Sequence, residues 1–197
     1  MVKNFMEILY DNEQIETERL VLRKSRKNDV SDMLEYASDE MTVKYLVWAG
    51  AKTEDEMLEG IINFHWSRPG IWAIELKENS KCIGAIDIRL KTEHEKAELG
   101  FVLNRHYWNS GYMTEALSAV LKLCFNELGL NRVEAVHYVG NEGSGRVMQK
   151  CGMKFEGVSE QGLKIKGAFR DIVRYGITKE QWHSLCTTVG AIIDPPL

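Results

Sequence analysis

Ala97-Glu98-Leu99-Gly100-Phe101-Val102-Leu103-Asn104 runs directly into Arg105-His106-Tyr107-Trp108-Asn109-Ser110-Gly111-Tyr112-Met113-Thr114-Glu115-Ala116-Leu117. The change of period between the two halves decides how the rest of the chain reads. In the first half Leu99, Phe101 and Leu103 alternate with Glu98, Gly100 and Val102, the two-residue period of a strand. From Met113 onward the apolar residues Met113, Ala116, Leu117, Val120, Leu121 and Cys124 recur at helical spacing. Asn109-Ser110-Gly111 lies between the two. A strand that feeds a small-residue loop and then a helix outlines an anion site. The first-turn N–H groups have no acceptor within the helix and the helix dipole adds partial positive charge. The alternative is an ordinary strand–loop–helix connection.

Working outward, the chain has 197 residues, 44% hydrophobic and 27% charged, which suits one domain with a normal core, at most with an appendage. A net charge of -4 lacks the basic excess of a nucleic-acid surface. Mild acidity suits a cationic amine. Cys82, Cys124, Cys151 and Cys186 are scattered with no C-x-x-C pair, so neither zinc nor another metal is expected. Cys82 and Cys124 occupy apolar positions and read as buried thiols. Residues 1–10 lack the features of an export signal, and no run of about 18 apolar residues offers a membrane span. A cytoplasmic location is the expectation.

Residues 1–14 read as an irregular or short helical lead-in. Arg19 to Lys24 alternates as a first strand, and Asn28-Asp29 can cap a helix ending near Ala37. The loop from Asp39 to Ala51 carries Met41, Tyr45, Leu46 and Trp48, either a docking edge or a small satellite core. Thr53-Glu54-Asp55-Glu56 has the form of a capping box opening a helix to about Trp66, with Arg68-Pro69-Gly70 beyond it. His65 on that helix reads as a core-edge histidine. Strands at 71–77 and 82–90 flank the turn Glu78-Asn79-Ser80-Lys81, and the strand of the opening stretch completes an antiparallel meander. After the long helix and the stop Leu128-Gly129-Leu130, a strand is expected at 132–139, a helix at 143–150, and strands at 154–166 and 169–178. Residues 181–197 read as a tail with one or two helical turns.

Two motifs carry a family resemblance. Tyr107-Trp108-Asn109-Ser110-Gly111-Tyr112-Met113-Thr114-Glu115-Ala116 resembles the pyrophosphate loop of the Gcn5-related N-acetyltransferases, in the branch that acetylates ribosomal-protein N-termini. Asn109 stands where that branch has glycine, and Met113 where it has a small residue. Thr17-Glu18-Arg19-Leu20-Val21-Leu22-Arg23 is similar to the same branch's opening. Downstream, Asn141, Ser144, Val147, Met148, Lys150, Gly152 and Met153 match the family's second motif. Neither the G-x-x-x-x-G-K-[ST] loop of nucleotide-binding proteins nor the dinucleotide fingerprint G-x-G-x-x-G is present, since Glu142 stands where the latter needs glycine. The resemblance covers residues 15–180. It implies an α/β fold of the α+β type, with a mixed, mostly antiparallel central sheet and helices on both faces.

The resemblance further implies an enzyme that transfers the acetyl group of acetyl-CoA to a primary amine by direct attack in a ternary complex. A protein N-terminal amine is the favoured acceptor. A polyamine, an aminoglycoside or another small amine is the alternative, as is a non-catalytic acyl-CoA-binding module. The implied cofactor contacts are the edges of Phe101, Val102 and Leu103 for the pantetheine arm, and Trp108, Asn109, Ser110, Gly111, Tyr112, Met113 and Thr114 for the diphosphate. Asn141 and Lys150 of the second motif join that set. Glu98 is the candidate base and Ser144 the candidate proton donor to the thiolate, with Tyr138 and Tyr175 as alternative donors. Glu115 reads as favourable to the helix dipole rather than catalytic. Tyr45, Trp48 and Trp72 are candidates for the acceptor wall. The expected partners are acetyl-CoA and the amine, with a homodimer and neither nucleic acid nor membrane.

Overall fold

A computed structural model describes residues 4–188. Its elements in chain order begin with α1 (Phe5–Asp11), β1 (Gln14–Glu16), β2 (Leu20–Arg23), α2 (Val30–Ala37), α3 (Glu40–Val43) and α4 (Glu54–Gly60). These are followed by β3 (Ile71–Leu76), β4 (Cys82–Lys91), β5 (Lys96–Leu103), α5 (Tyr112–Lys122) and β6 (Arg132–Tyr138). The chain closes with α6 (Glu142–Lys150), β7 (Lys154–Ile165), β8 (Ala168–Thr178) and α7 (Lys179–Thr188). The strands form one sheet in the order β1-β2-β3-β4-β5-β6-β8-β7. The pairs β1–β2, β2–β3, β3–β4, β6–β8 and β7–β8 are antiparallel, and β5–β6 is parallel. The mixed, mostly antiparallel sheet expected from the sequence is therefore present.

Packing divides the chain into two compact units. The first holds the residues up to Asp87 together with Phe101–Tyr112. β3 and the first half of β4 are buried on both faces rather than alternating, and Leu20, Leu22, Ile74, Ile83 and Ile86 are all at most 1% exposed. Val30, Met33 and Tyr36 of α2 and Met57 of α4 form one apolar cluster with Ile61, Ala73 and Cys82. Fully burying a valine, isoleucine or methionine side chain of this kind stabilises by about 1.5–3 kcal/mol. Arg23 is 3% exposed and is held by Asp29 at 2.8 Å and Glu75 at 2.5 Å. Those carboxylates raise the guanidinium's pKa and Arg23 lowers that of Asp29, against the opposing pull of burial on each.

The second unit holds Ile88–Gly100 and the residues from Met113 on. Met113, Ala116, Leu117, Val120 and Leu121 of α5 are buried, which is the stripe read from the sequence. Phe125 stacks on Trp182 of α7 with ring centroids 5.5 Å apart, and Val133, Ala135 and Ile177 are fully buried. Gly129, at φ +61°, ends the long helix where a stop was expected. Three thiols are buried, Cys82, Cys124 and Cys151, and burial pushes them up to about 12, 12 and 11; Cys186 is exposed.

Several expectations are corrected. The lead-in is a short helix, one of the two forms expected, followed by a strand that was not expected: Asn4 caps α1, Leu9 is buried, and β1 pairs with β2. The Asp39–Ala51 loop contains α3, capped by Asp39, which accepts from Thr42 N at 2.8 Å. Helices ending near Trp66 and after Lys122 both pass into π turns, Ile61–His65 and Leu123–Glu127. Asp29 does not cap α2 with its side chain; its carboxylate is taken by Arg23 and by Arg26 N. Glu56 reaches Lys52 N at 2.7 Å, one residue beyond the position a capping box would use. In the region read as a tail, α7 continues to Thr188, and residues 189–197 lie outside the described residues. His65 is a buried core-edge histidine as read.

Candidate active site

β5 leaves the first unit's sheet under tight control. A Cβ on Gly84 would lie 2.3 Å from Val102 O, so only glycine allows β4 and β5 this approach. Asn104 N still donates to Ile83 O at 2.8 Å. The Asn104 side chain is buried and works at both ends: Oδ1 accepts from His106 N at 3.0 Å, and Nδ2 donates to Glu35 Oε1 at 3.0 Å. This caps one 3-10 turn, Arg105–Tyr107. Trp108 then folds back, and its indole N–H donates to Leu103 O at 2.8 Å. That carbonyl, expected at the pantetheine edge, is thus occupied; Phe101 and Val102 stand half-buried before it.

The loop itself is set by two left-handed residues, Asn109 at φ +61° and Gly111 at φ +83°. Asparagine is among the few side chains that tolerate this region, which accounts for Asn109 at a position where glycine would be the usual choice. Met113 is 4% exposed and points into the core, so its bulk is directed away from the loop. Among the described residues, no protein acceptor is found for the main-chain N–H groups of Ser110 or Gly111. Thr114 is buried, and its carbonyl accepts from Cys151 Sγ at 3.5 Å. Glu115 is buried in the first turn of α5. The loop is held from the other side by Arg19, whose Nη1 donates to Ser110 O at 3.0 Å. Its guanidinium lies 4.4 Å from the Tyr112 ring centroid.

In the second unit Glu98 is half-buried on β5 and faces two cations of β4, Arg89 at 3.4 Å and Lys91 at 3.7 Å. Asn141 caps α6: its Oδ1 accepts from Ser144 N at 3.4 Å. Gly145 follows, where a Cβ would lie 2.9 Å from His137 Nε2 and 3.3 Å from the Tyr175 hydroxyl. His137 and Tyr175 stack with centroids 5.7 Å apart, and Gln149 Nε2 donates to the Tyr175 hydroxyl at 3.2 Å. Burial pushes the Tyr138 phenol up and keeps it protonated. Asn141, Ser144, Tyr175 and His137 therefore gather around the start of α6, whereas Lys150 is exposed at its end.

The acceptor-wall candidates divide. Tyr45 is half-buried with Lys44 Nζ 5.0 Å from its ring, and Trp48 is exposed. Trp72 is 1% exposed, and its indole N–H donates to Asn12 O at 2.9 Å. It is a core side chain anchoring the segment after α1 to β3, not an open wall. With His65, Tyr10, Trp66 and Arg68 it lines a small cleft. There His65 Nδ1 meets Ser25 Oγ at 2.7 Å, and burial lowers the imidazole to about 4, so it stays neutral.

Sequence reasoning placed Arg19 only within an opening motif and did not single out His137 or Gly84. An isolated arginine at the start of a strand carries no local sign of a partner 91 residues away. Among the described residues no helix is long and apolar enough to cross a membrane, and no cluster of three or more metal-ligating side chains occurs.

With this geometry in place, the chain can be set beside known proteins. The family profile described as "Acetyltransferase (GNAT) domain" matches residues 19–154. The uncharacterized N-acetyltransferase YoaA of Bacillus subtilis (strain 168) is 30% identical over 170 residues, covering 84% of this chain and 96% of that one. A crystal structure of a GNAT-family acetyltransferase from Bacillus anthracis superposes with a TM-score of 0.77 at 30% identity, over 85% of this chain and 99% of that one. The ribosomal protein uS5-alanine N-acetyltransferase of Escherichia coli (strain K12) is 29% identical over 84 residues, 43% of each chain.

Proposed function

The chain belongs to the GNAT acetyltransferase family and is an acetyl-CoA-dependent N-acetyltransferase, and from that premise we propose that its acceptor is the α-amine of a protein N-terminus. The observation that carries the cofactor half of this reading is the pair of left-handed residues immediately before α5, Asn109 and Gly111. They turn the chain so that unpaired main-chain N–H groups precede a helix start, the arrangement that receives a diphosphate. In this reading Asn109 to Thr114 hold the diphosphate and the edges of Phe101 and Val102 align the pantetheine. Asn141, already ordered as a cap, directs the pantetheine's amides, and Lys150 serves the cofactor from the end of α6.

Acetyl-CoA supplies the acyl group as a thioester. The acceptor nitrogen attacks the carbonyl carbon, a C–N bond forms, the C–S bond breaks, and the sulfur leaves as a thiolate. The amine gives up one proton and the thiolate takes one. We assign the donated proton to the hydroxyl of Ser144 or of Tyr138, both near the start of α6. The Glu98 carboxylate is engaged by Arg89 and Lys91, so a base at this position acts through an intervening water.

The α-amine reading draws on acid–base arithmetic as well as on likeness to a ribosomal-protein acetyltransferase. With a reference pKa of about 7.7–8.0, roughly a third of an α-amine is neutral at pH 7.5, against about 0.1% of a lysine amine near 10.4. An α-amine therefore needs little help from a protein base. The test is CoA release from acetyl-CoA with peptides bearing free N-terminal alanine or serine, their N-blocked counterparts, polyamines and aminoglycosides. Turnover should require the free α-amine, and should fall by less than about tenfold in Glu98→Gln. Preference for a polyamine or aminoglycoside would replace this acceptor, and absence of CoA release with every amine would remove transfer itself.

A further inference from the structure

We propose that Arg19 is a positioning residue for the diphosphate loop, fixing the Ser110–Gly111 peptide so that the Gly111 N–H faces away from the guanidinium. This rests on the reading above that the loop receives the diphosphate of CoA. Arg19 sits immediately before β2, where its own carbonyl accepts from Lys77 N at 2.9 Å, so the side chain springs from an anchored backbone. From there it crosses to a loop 91 residues later and donates Nη1 to Ser110 O at 3.0 Å. A trans peptide is planar, with its C=O and N–H pointing in opposite directions. Holding the Ser110 oxygen on the guanidinium therefore sends the Gly111 N–H to the opposite side.

Two further contacts make the hold directional. The guanidinium lies over the Tyr112 ring at 4.4 Å, a second point of hold, and Tyr112 is braced edge-on by Tyr107 at 6.1 Å. Nη2 also passes 3.2 Å from where a Cβ on Gly111 would stand, so the guanidinium packs closely against this residue. A lysine reproduces the charge but neither the planar donor fork nor the stacking. Arg19, which belongs to no part of the loop, thus adds to the order the loop has before its ligand arrives.

The test compares dissociation constants for CoA and for pantetheine, which lacks the diphosphate and the 3′-phosphoadenosine beyond it, by calorimetry and by ligand-observed NMR for the weaker ligand, with adenosine 3′,5′-bisphosphate as the control for the nucleotide end. In Arg19→Ala, CoA affinity is expected to fall about 10–100-fold, while pantetheine affinity changes less than twofold and confirms that the variant is folded. Arg19→Lys should recover only a minor part of the loss. Equal loss of both ligands, no loss of CoA affinity, or full recovery by lysine would overturn the assignment to Arg19. A wild-type protein that binds CoA no more tightly than pantetheine would instead remove the diphosphate reading of the loop, and this assignment with it.

Discussion

At the scale of single residues, the chain holds polar groups where burial gives them consequences. His65 is 8% exposed with an imidazole lowered to about 4, against about 6.5 in an unfolded chain. Between those values the unfolded state takes up a proton that the folded state refuses, so stability rises with pH across the window from 4 to 6.5 and is flat above it. Folding free energy from urea titrations should drop by on the order of 3 kcal/mol from pH 7.5 to pH 4 through this residue, and His65→Asn should flatten that slope. An unchanged slope in the variant would place the proton uptake elsewhere. Asn109 makes a second residue-scale case. Asn109→Gly should preserve CoA affinity, while Asn109→Val, forced into left-handed space, should cost about 1–2 kcal/mol in unfolding free energy and weaken CoA binding. A valine variant that matches wild type in both would deny the loop its conformational requirement.

At the scale of elements, the close approach of β4 and β5 is the feature most exposed to substitution. Gly84→Ala puts a methyl against main-chain atoms that cannot rotate away, and should destabilise the protein by about 2 kcal/mol or more in thermal or urea unfolding. A neutral effect would mean that the strands part easily. Legibility from sequence also sorts by element. The strand-to-helix stretch could be read because its period changes inside a few residues, and because Asn109 and Gly111 are types that tolerate positive φ. β1 could not: three residues, Gln14-Ile15-Glu16, are too few to show a period, and pairing with β2 defines them. The π turns share the apolar spacing of the helices they end, so Ile61–His65 looked like one more turn of the same helix. For Trp72 the sequence leaves a binding wall and a core equally open, because an indole suits either, and its burial and its bond to Asn12 O place it in the core.

At the scale of the whole molecule, a ligand that binds the folded chain alone stabilises it by mass action. CoA at 100 times its dissociation constant should add about 2.7 kcal/mol. For a chain of this size that is a rise of about 5–10 °C in Tm by differential scanning fluorimetry. NAD or ATP at equal concentration should leave Tm unchanged, and an equal rise with either would deny the loop its selectivity. The distribution of cysteines bears on how any such enzyme is watched. Three of the four thiols are buried with their thiolates suppressed, and Cys186 alone is exposed. A disulfide chromogen that counts liberated coenzyme will therefore meet one protein sulfhydryl per native chain as its blank and four once the chain is denatured, so the assay carries its own gauge of intactness.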